Sequence, residues 1–259
     1  MKAVWSGDIG FGLVNIPVKL FSATRSSELD LDMVDKRSQA RIHYKRVSED
    51  TGKEVPWENI VKAYDLDGRY VVLSDEDFKQ ALPEKTGRID ISSFVDLEEI
   101  DAIYFENPYY VVPAKSGSVP YALLTEALDK TKKAGLGTYV LRNKEHLCIL
   151  RAVDGYILLQ QIRFQEEIRD SDELALPSKA RIDPGQLKIA VSLIKQMNAK
   201  FDISRYKDTY SASLLKLIKA KAKGKKPSAT RMKVVPKPSG DLLSQLKKSL
   251  AAGKKTKAS

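Results

Sequence analysis

The chain has 259 residues, 42% of them hydrophobic and 30% charged, with 44 Lys and Arg against 34 Asp and Glu and a formal net charge of +10. Such a composition supports one large or two modest domains and excludes a chain that is disordered throughout. With no apolar run long enough for a membrane span, no signal-peptide pattern at the start and a single cysteine, Cys148, the sequence reads as a cytoplasmic protein without disulfides or a membrane segment.

The positive charge is unevenly placed. From Lys219 to Ser259, thirteen Lys and Arg face one acid, Asp241, whereas the residues before them hold 31 bases and 33 acids. A nearly neutral body can hold a polyanion only by sorting its cations onto one surface.

In chain order, "VWSGDIGFGLVNIPVKLFSA" offers short apolar runs broken by Gly7, Gly10, Gly12 and Pro17, which predicts strands and bends. The spacing of these glycines is not that of a dinucleotide-binding loop. Next comes "ARIHYKRVSEDTGKEV" (40–55), rich in cations. If Ala40 to Val47 is extended, Arg41, His43 and Lys45 share one side while Ile42, Tyr44 and Arg46 share the other. Same-side residues lie roughly 7 Å apart, near the phosphate step of a nucleic-acid strand, although exposed hairpins show the same alternation. "GRYVVLSDEDFKQAL" predicts a strand and then a short helix capped by Ser74 with Asp77 three residues on. "GRIDISSFVDL" and "AIYFENPYYVVPA" read as further strands.

Pro120 to Lys133 carries apolar residues at helical spacing, with Gly135 and Gly137 expected to end the helix. "GTYVLRN", "HLCILRAV" and "YILLQQIRF" follow as strands, with turns near Lys144 and at Asp154–Gly155. A mostly β domain therefore closes near Arg169. An acidic, proline-containing connector leads to a helix capped by Asp183 and Pro184, and a second helix covers about Ser211 to Lys223. The lysine-rich remainder is too polar to fold alone, and "DLLSQLKKSL" forms an amphipathic helix only against a partner, through Leu242, Leu243 and Leu246.

Chemistry is sparse. Two histidines and one cysteine are too few for a standard zinc site, and neither a nucleophile elbow nor a phosphate loop is present. Cys148, within "EHLCILRAV", reads as a small core residue.

The segments "GLVNIPVKLFSAT", "RIHYKRV", "GKEVPWENIVKAY", "GRYVVLSDEDF", "IDAIYFENPYYVVP", "LRNKEHLCILR" and "FDISRYKDTY", in this order over nearly the whole chain, together resemble bacterial Ku. The resemblance implies a mainly β fold with some α: a Ku-type β-barrel with an inserted ring-forming arm, then a helical C-terminal region and a disordered basic tail. The expected divisions are 1–170 with the arm at about 19–69, 171–223 for partner recruitment, and 224–259 as tail. It further implies a non-enzymatic, nucleoid-associated homodimer that threads onto double-stranded DNA ends without sequence specificity, protects them and recruits an ATP-dependent DNA ligase.

On that reading the DNA contacts are Lys19, Arg25, Lys36, Arg37, Arg41, His43, Lys45, Arg46 and Lys53, with Lys2 and Arg142 in the cradle. Some relatives carry cysteine pairs in the arm, but this chain has Ser48 and Thr51 there, so no metal or other cofactor is expected. Val55, Trp57 and Ile60 then serve either dimer packing or a local core. Two other readings suit the composition: an architectural protein that binds DNA or RNA along its surface, and a nuclease or phosphotransferase with dispersed carboxylates.

Overall fold

The computed structural model describes residues 1–81, 87–175, 182–225, 243–247 and 249. Its contacts divide the chain into Met1–Ser26 with Leu31–Arg169, and Ser27–Asp30 with Asp170–Ser259.

In the first unit β1 (Trp5–Phe11) turns back into β2 (Val14–Ser22), as the glycine-broken apolar runs imply. After a long excursion the chain returns as β5 (Arg88–Asp96), parallel to β1 with Asp8 opposite Arg88. β6 (Phe105–Pro113), β7 (Lys133–Leu141), β8 (Lys144–Val153) and β9 (Tyr156–Ile162) complete a closed seven-stranded barrel in the order β1-β2-β6-β9-β8-β7-β5. Closure leaves this sheet no free edge. Pro108 is accommodated in β6 at a register shift between Phe105 and Pro108, where a missing N–H is tolerated.

Alternation along the strands sends Ile9, Ile16, Leu20, Ile89, Leu150, Ile157 and Leu159 into one core with no exposed surface. Burying each such side chain contributes about 1.5–3 kcal/mol. Between β6 and β7, α2 (Ser118–Thr131) adds Tyr121, Leu124 and Leu128 to that core. The Tyr121 hydroxyl donates to the Val111 carbonyl and accepts from the Ile157 amide, both at 2.8 Å, so it bridges the paired positions Val111 and Ile157 of β6 and β9.

This helix ends earlier than the glycine signal suggested. Lys132 already adopts left-handed backbone (φ 56°), and Gly135 and Gly137 belong to β7. Gly137 is needed for close approach instead: a β-carbon there would lie 2.3 Å from the Asp90 carbonyl oxygen. The turns joining β7 to β8 and β8 to β9 have positive φ at Arg142, Asn143, Asp154 and Gly155, the primed geometry that matches strand twist.

The excursion between β2 and β5 starts and ends later in the chain than the expected span of 19–69, because β2 runs through Lys19 to Ser22 and β5 opens only at Arg88. It carries a two-stranded hairpin, β3 (Lys62–Leu66) and β4 (Arg69–Leu73), followed by α1 (Asp75–Gln80). The sequence reading missed β3. The α1 cap is as read: Ser74 and Asp77 form the reciprocal capping box.

The second unit contains α3 (Pro184–Met197), capped by Asp183 with Pro184 at its first position, and α4 (Thr209–Ala222), capped by Asp208. Leu243 and Leu246 are half-buried in a short helical stretch at 243–247. Leu242 and most of the basic tail lie outside the described residues.

Candidate nucleic-acid interface

The stretch around Arg41 is extended without joining a regular ladder. Isolated bridges pair Val34 with Arg41 and Val47 with Glu54, so residues 41–47 lie between two flanking segments. The first turn is held by Asp35, whose carboxylate accepts from the Ser38 hydroxyl and from the Arg37 and Ser38 amides. These bonds, the Ser38 hydroxyl first, keep its carboxyl below the usual range. Gln39 supplies the positive φ.

Alternate residues of the central segment find alternate kinds of partner. Arg41 pairs with Asp32 through Nε at 3.2 Å and through Nη2, and Lys45 pairs with Glu54 at 2.7 Å. In the alternate positions, the Tyr44 hydroxyl donates to the Met33 sulfur at 3.4 Å, and the Arg46 guanidinium sits over the Trp57 ring, 4.4 Å from its centroid. One series is therefore ionic and the other aromatic and apolar, following the period-two pattern of the sequence. His43, exposed, belongs by that period with Arg41 and Lys45. Lys36, Arg37 and Lys53 are exposed in the two turns.

Register gathers a second group of cations at one barrel end. β1 begins there with Trp5 opposite Leu20, β2 leaves it after Ser22 opposite Tyr109, and β7 reaches it at the Arg142 turn. The Trp5 indole donates to the Val140 carbonyl at 2.9 Å and ties the strand ends together. Lys2, Lys19, Arg25 and Arg142 all belong to this end, all exposed, with Lys19 on β2 rather than in the excursion. Lys144 and Arg163 lie at the same end and were missed; Lys144 pairs with Glu167 at 3.0 Å and Arg163 with Glu106 at 2.6 Å. The signal for Lys144 was its place two residues after Arg142 in the hairpin.

The excursion also exposes more apolar surface than a finished fold tolerates. Leu31, Met33, Ile42, Tyr44, Val47, Val61, Tyr64 and Tyr70 are all exposed, and Trp57 keeps 70% of its surface. Trp57 and Ile60 therefore form no local core within the chain. A two-stranded hairpin such as β3–β4 is marginal in water without a surface to pack on, and exposed apolar side chains in this number suit an interaction surface. Residues 23–87 carry eleven Lys and Arg against fourteen Asp and Glu, so cations there act by position rather than by surplus.

Among the described residues no group of three or more His, Cys, Asp or Glu could hold a metal ion, and no helix is long and apolar enough to cross a membrane. Cys148 is fully buried, and burial pushes its thiol far above the ordinary value, which leaves no thiolate for chemistry.

Comparison with known proteins gives a consistent match. The family model described as the Ku70/Ku80 beta-barrel domain covers residues 10–189. The non-homologous end joining protein Ku of Coxiella burnetii is 39% identical over 264 residues, spanning 99% of this chain and 96% of that protein. The protein of the same name in Pseudomonas aeruginosa is 41% identical across 85% of this chain and 77% of its own length. That of Bacillus subtilis is 37% identical across 96% and 82%.

Proposed function

Since the chain belongs to the Ku family, we propose that it binds double-stranded DNA ends in non-homologous end joining, as a homodimer whose two excursions close into a ring around the duplex. The carrying observation is the period-two segment 41–47, with ionic partners on one series and exposed apolar ones on the other. The first series suits a phosphate rail, the second a protein partner. A two-fold dimer suits a duplex because each subunit presents the same surface to an opposite strand.

In this reading Arg25, Lys36, Arg37, Arg41, His43, Lys45 and Lys53 contact the sugar-phosphate backbone from the arm, while Lys2, Lys19 and Arg142 do so from the barrel end. Arg46 braces Trp57. Such contacts supply affinity without base readout, since phosphates carry no sequence information. Charge alone attracts the middle of a duplex as strongly as its terminus, so preference for ends requires enclosure. The reading includes no catalytic step and no cofactor, and it places the protein in the cytoplasm at the nucleoid.

Recruitment of an ATP-dependent ligase falls to the second unit. Leu187, Val191, Ile194 and Met197 form an apolar stripe on α3 at helical spacing, and all four are exposed. A helix face of this kind docks into a partner's groove. Leu243 and Leu246, together with Leu242, offer a second docking element, and the basic tail adds sequence-independent DNA affinity.

Competition tests the proposal. Linear duplex is expected to displace a labelled duplex efficiently, whereas covalently closed circular DNA of the same length competes poorly. Equal competition by the two forms would leave a surface-binding protein instead of a ring.

A further inference from the structure

Two acids of the excursion pair with cations of its ionic series. Asp32 accepts from both Nε and Nη2 of Arg41, and Glu54 accepts from the Lys45 ammonium at 2.7 Å. The acids come from the two segments that flank residues 41–47 in sequence, so Arg41 and Lys45 each meet a carboxylate from a bridged neighbour. Exposed pairs contribute little to holding a fold. These are exposed: the side chains of Arg41 and Asp32 retain 68% and 63% of their surface, those of Lys45 and Glu54 71% and 56%. The turns are already fixed by backbone bonds from Asp35 to Ala40, Ile42 to Met33, Ser48 to Lys53 and Val55 to Arg46. Structural need therefore does not account for the acids.

Carboxylate and phosphate present the same chemistry to these cations. Each offers anionic oxygens that accept charge-assisted N–H bonds, and here both Arg41 bonds go to Oδ1 of Asp32. A carboxylate about 3 Å from its cation also cancels that cation's field beyond roughly a Debye length, about 8 Å at physiological salt. We propose that Asp32 and Glu54 are specificity-determining residues: they screen Arg41 and Lys45 in the DNA-free protein and are displaced by phosphates only when a duplex lies along the whole rail. A glancing contact exchanges one carboxylate for one phosphate and leaves the freed acid repelling DNA. An enclosed duplex exchanges all the pairs of both subunits together while releasing its counterions. The acids thus set a threshold that side-on binding does not pass. This inference rests on the reading of the excursion as a DNA-encircling arm.

The test compares two double variants that make the same change in charge. Asp32→Asn/Glu54→Gln removes the screening carboxylates and keeps their shape. Glu126→Gln/Asp129→Asn removes two acids from comparable exposed pairs on α2, with Lys130 at 2.7 Å and Lys132 at 3.0 Å. Affinity for labelled linear duplex is measured against salt concentration, and closed circular DNA is the competitor. Circular dichroism and sedimentation confirm that each variant is folded and has the wild-type assembly state. Asp32→Asn alone, with half the expected gain, is the second variant should the double one misfold.

The arm variant is expected to bind linear duplex roughly tenfold more tightly at low salt, with a steeper salt dependence, and to accept circular DNA more readily. The α2 variant stays near the wild type. Equal behaviour of the two double variants, or weaker binding by the arm variant, overturns the screening role while wild-type end preference still stands. Wild-type protein that binds circular and linear DNA alike sinks the parent reading, and the screening role with it.

Discussion

Arg46 sits over the face of Trp57, its guanidinium carbon 4.4 Å from the ring centroid. It thereby has an aromatic partner, unlike Arg41 and Lys45, whose partners are carboxylates. Lys45, one residue earlier, points its ammonium to Glu54 instead. Neighbouring basic residues in one short segment thus do different work, and substitution separates them.

Reversal of the ionic series is the first consequence. Arg41→Glu with Lys45→Glu is expected to lower duplex affinity by roughly a hundredfold at low salt, because two phosphate contacts per subunit become repulsions. Sedimentation velocity should still find the wild-type assembly state. Fluorescence anisotropy that finds unchanged affinity would remove the stripe from the interface.

Trp57→Ala addresses the apolar series. Within one chain it forfeits only a cation–π contact worth about 0.5–1 kcal/mol at an exposed site, so the thermal transition of the barrel should hardly move. Self-association, by contrast, should weaken at least about tenfold, since an exposed aromatic anchor is the kind of residue that dominates an interface. A variant that dimerises as tightly as the wild type shows that Trp57 packs against nothing in the assembly.

Tyr121→Phe tests the barrel itself. The substitution keeps the buried ring and strips the hydroxyl that the Ile157 amide donates to and that the Val111 carbonyl accepts from. Leaving two buried backbone groups without that partner is expected to cost about 1–3 kcal/mol, read from urea denaturation at unchanged slope. A loss below about 0.5 kcal/mol would mean that the strands close the gap unaided.

Truncation after Gly224 removes most of the Lys-rich tail. Affinity should fall and its salt dependence flatten, because fewer cations meet phosphates, while the preference for linear over circular DNA persists. A truncated protein without that preference would move end recognition from the barrel and arm to the tail.

Much of the fold was legible because its signals are local. The caps at Ser74 with Asp77 and at Asp183 with Pro184 are fixed by neighbouring residues, and the primed turn at Asp154–Gly155 is set by two. Cys148 read correctly as core because it sits in the unbroken apolar run Leu147 to Leu150. The glycines after α2 misled, since Gly137 is required by Asp90, a residue 47 positions away in the chain and across a strand pair. β3 escaped because all its residues are exposed and show no burial pattern. At the interface the alternation around Arg41 was readable, but its acids were not: Asp32 and Glu54 reach their cations only after the flanking segments turn back.

Enclosure of the duplex is the claim on which the account rests, and topological trapping measures it most directly. Protein is loaded onto linear DNA, both ends are then blocked with a bulky bound protein, and the complex is challenged with high salt. Rings threaded before blocking should remain on the DNA long after complexes on unblocked DNA have run off. Equally fast loss from blocked and unblocked DNA would contradict enclosure and leave only a surface contact.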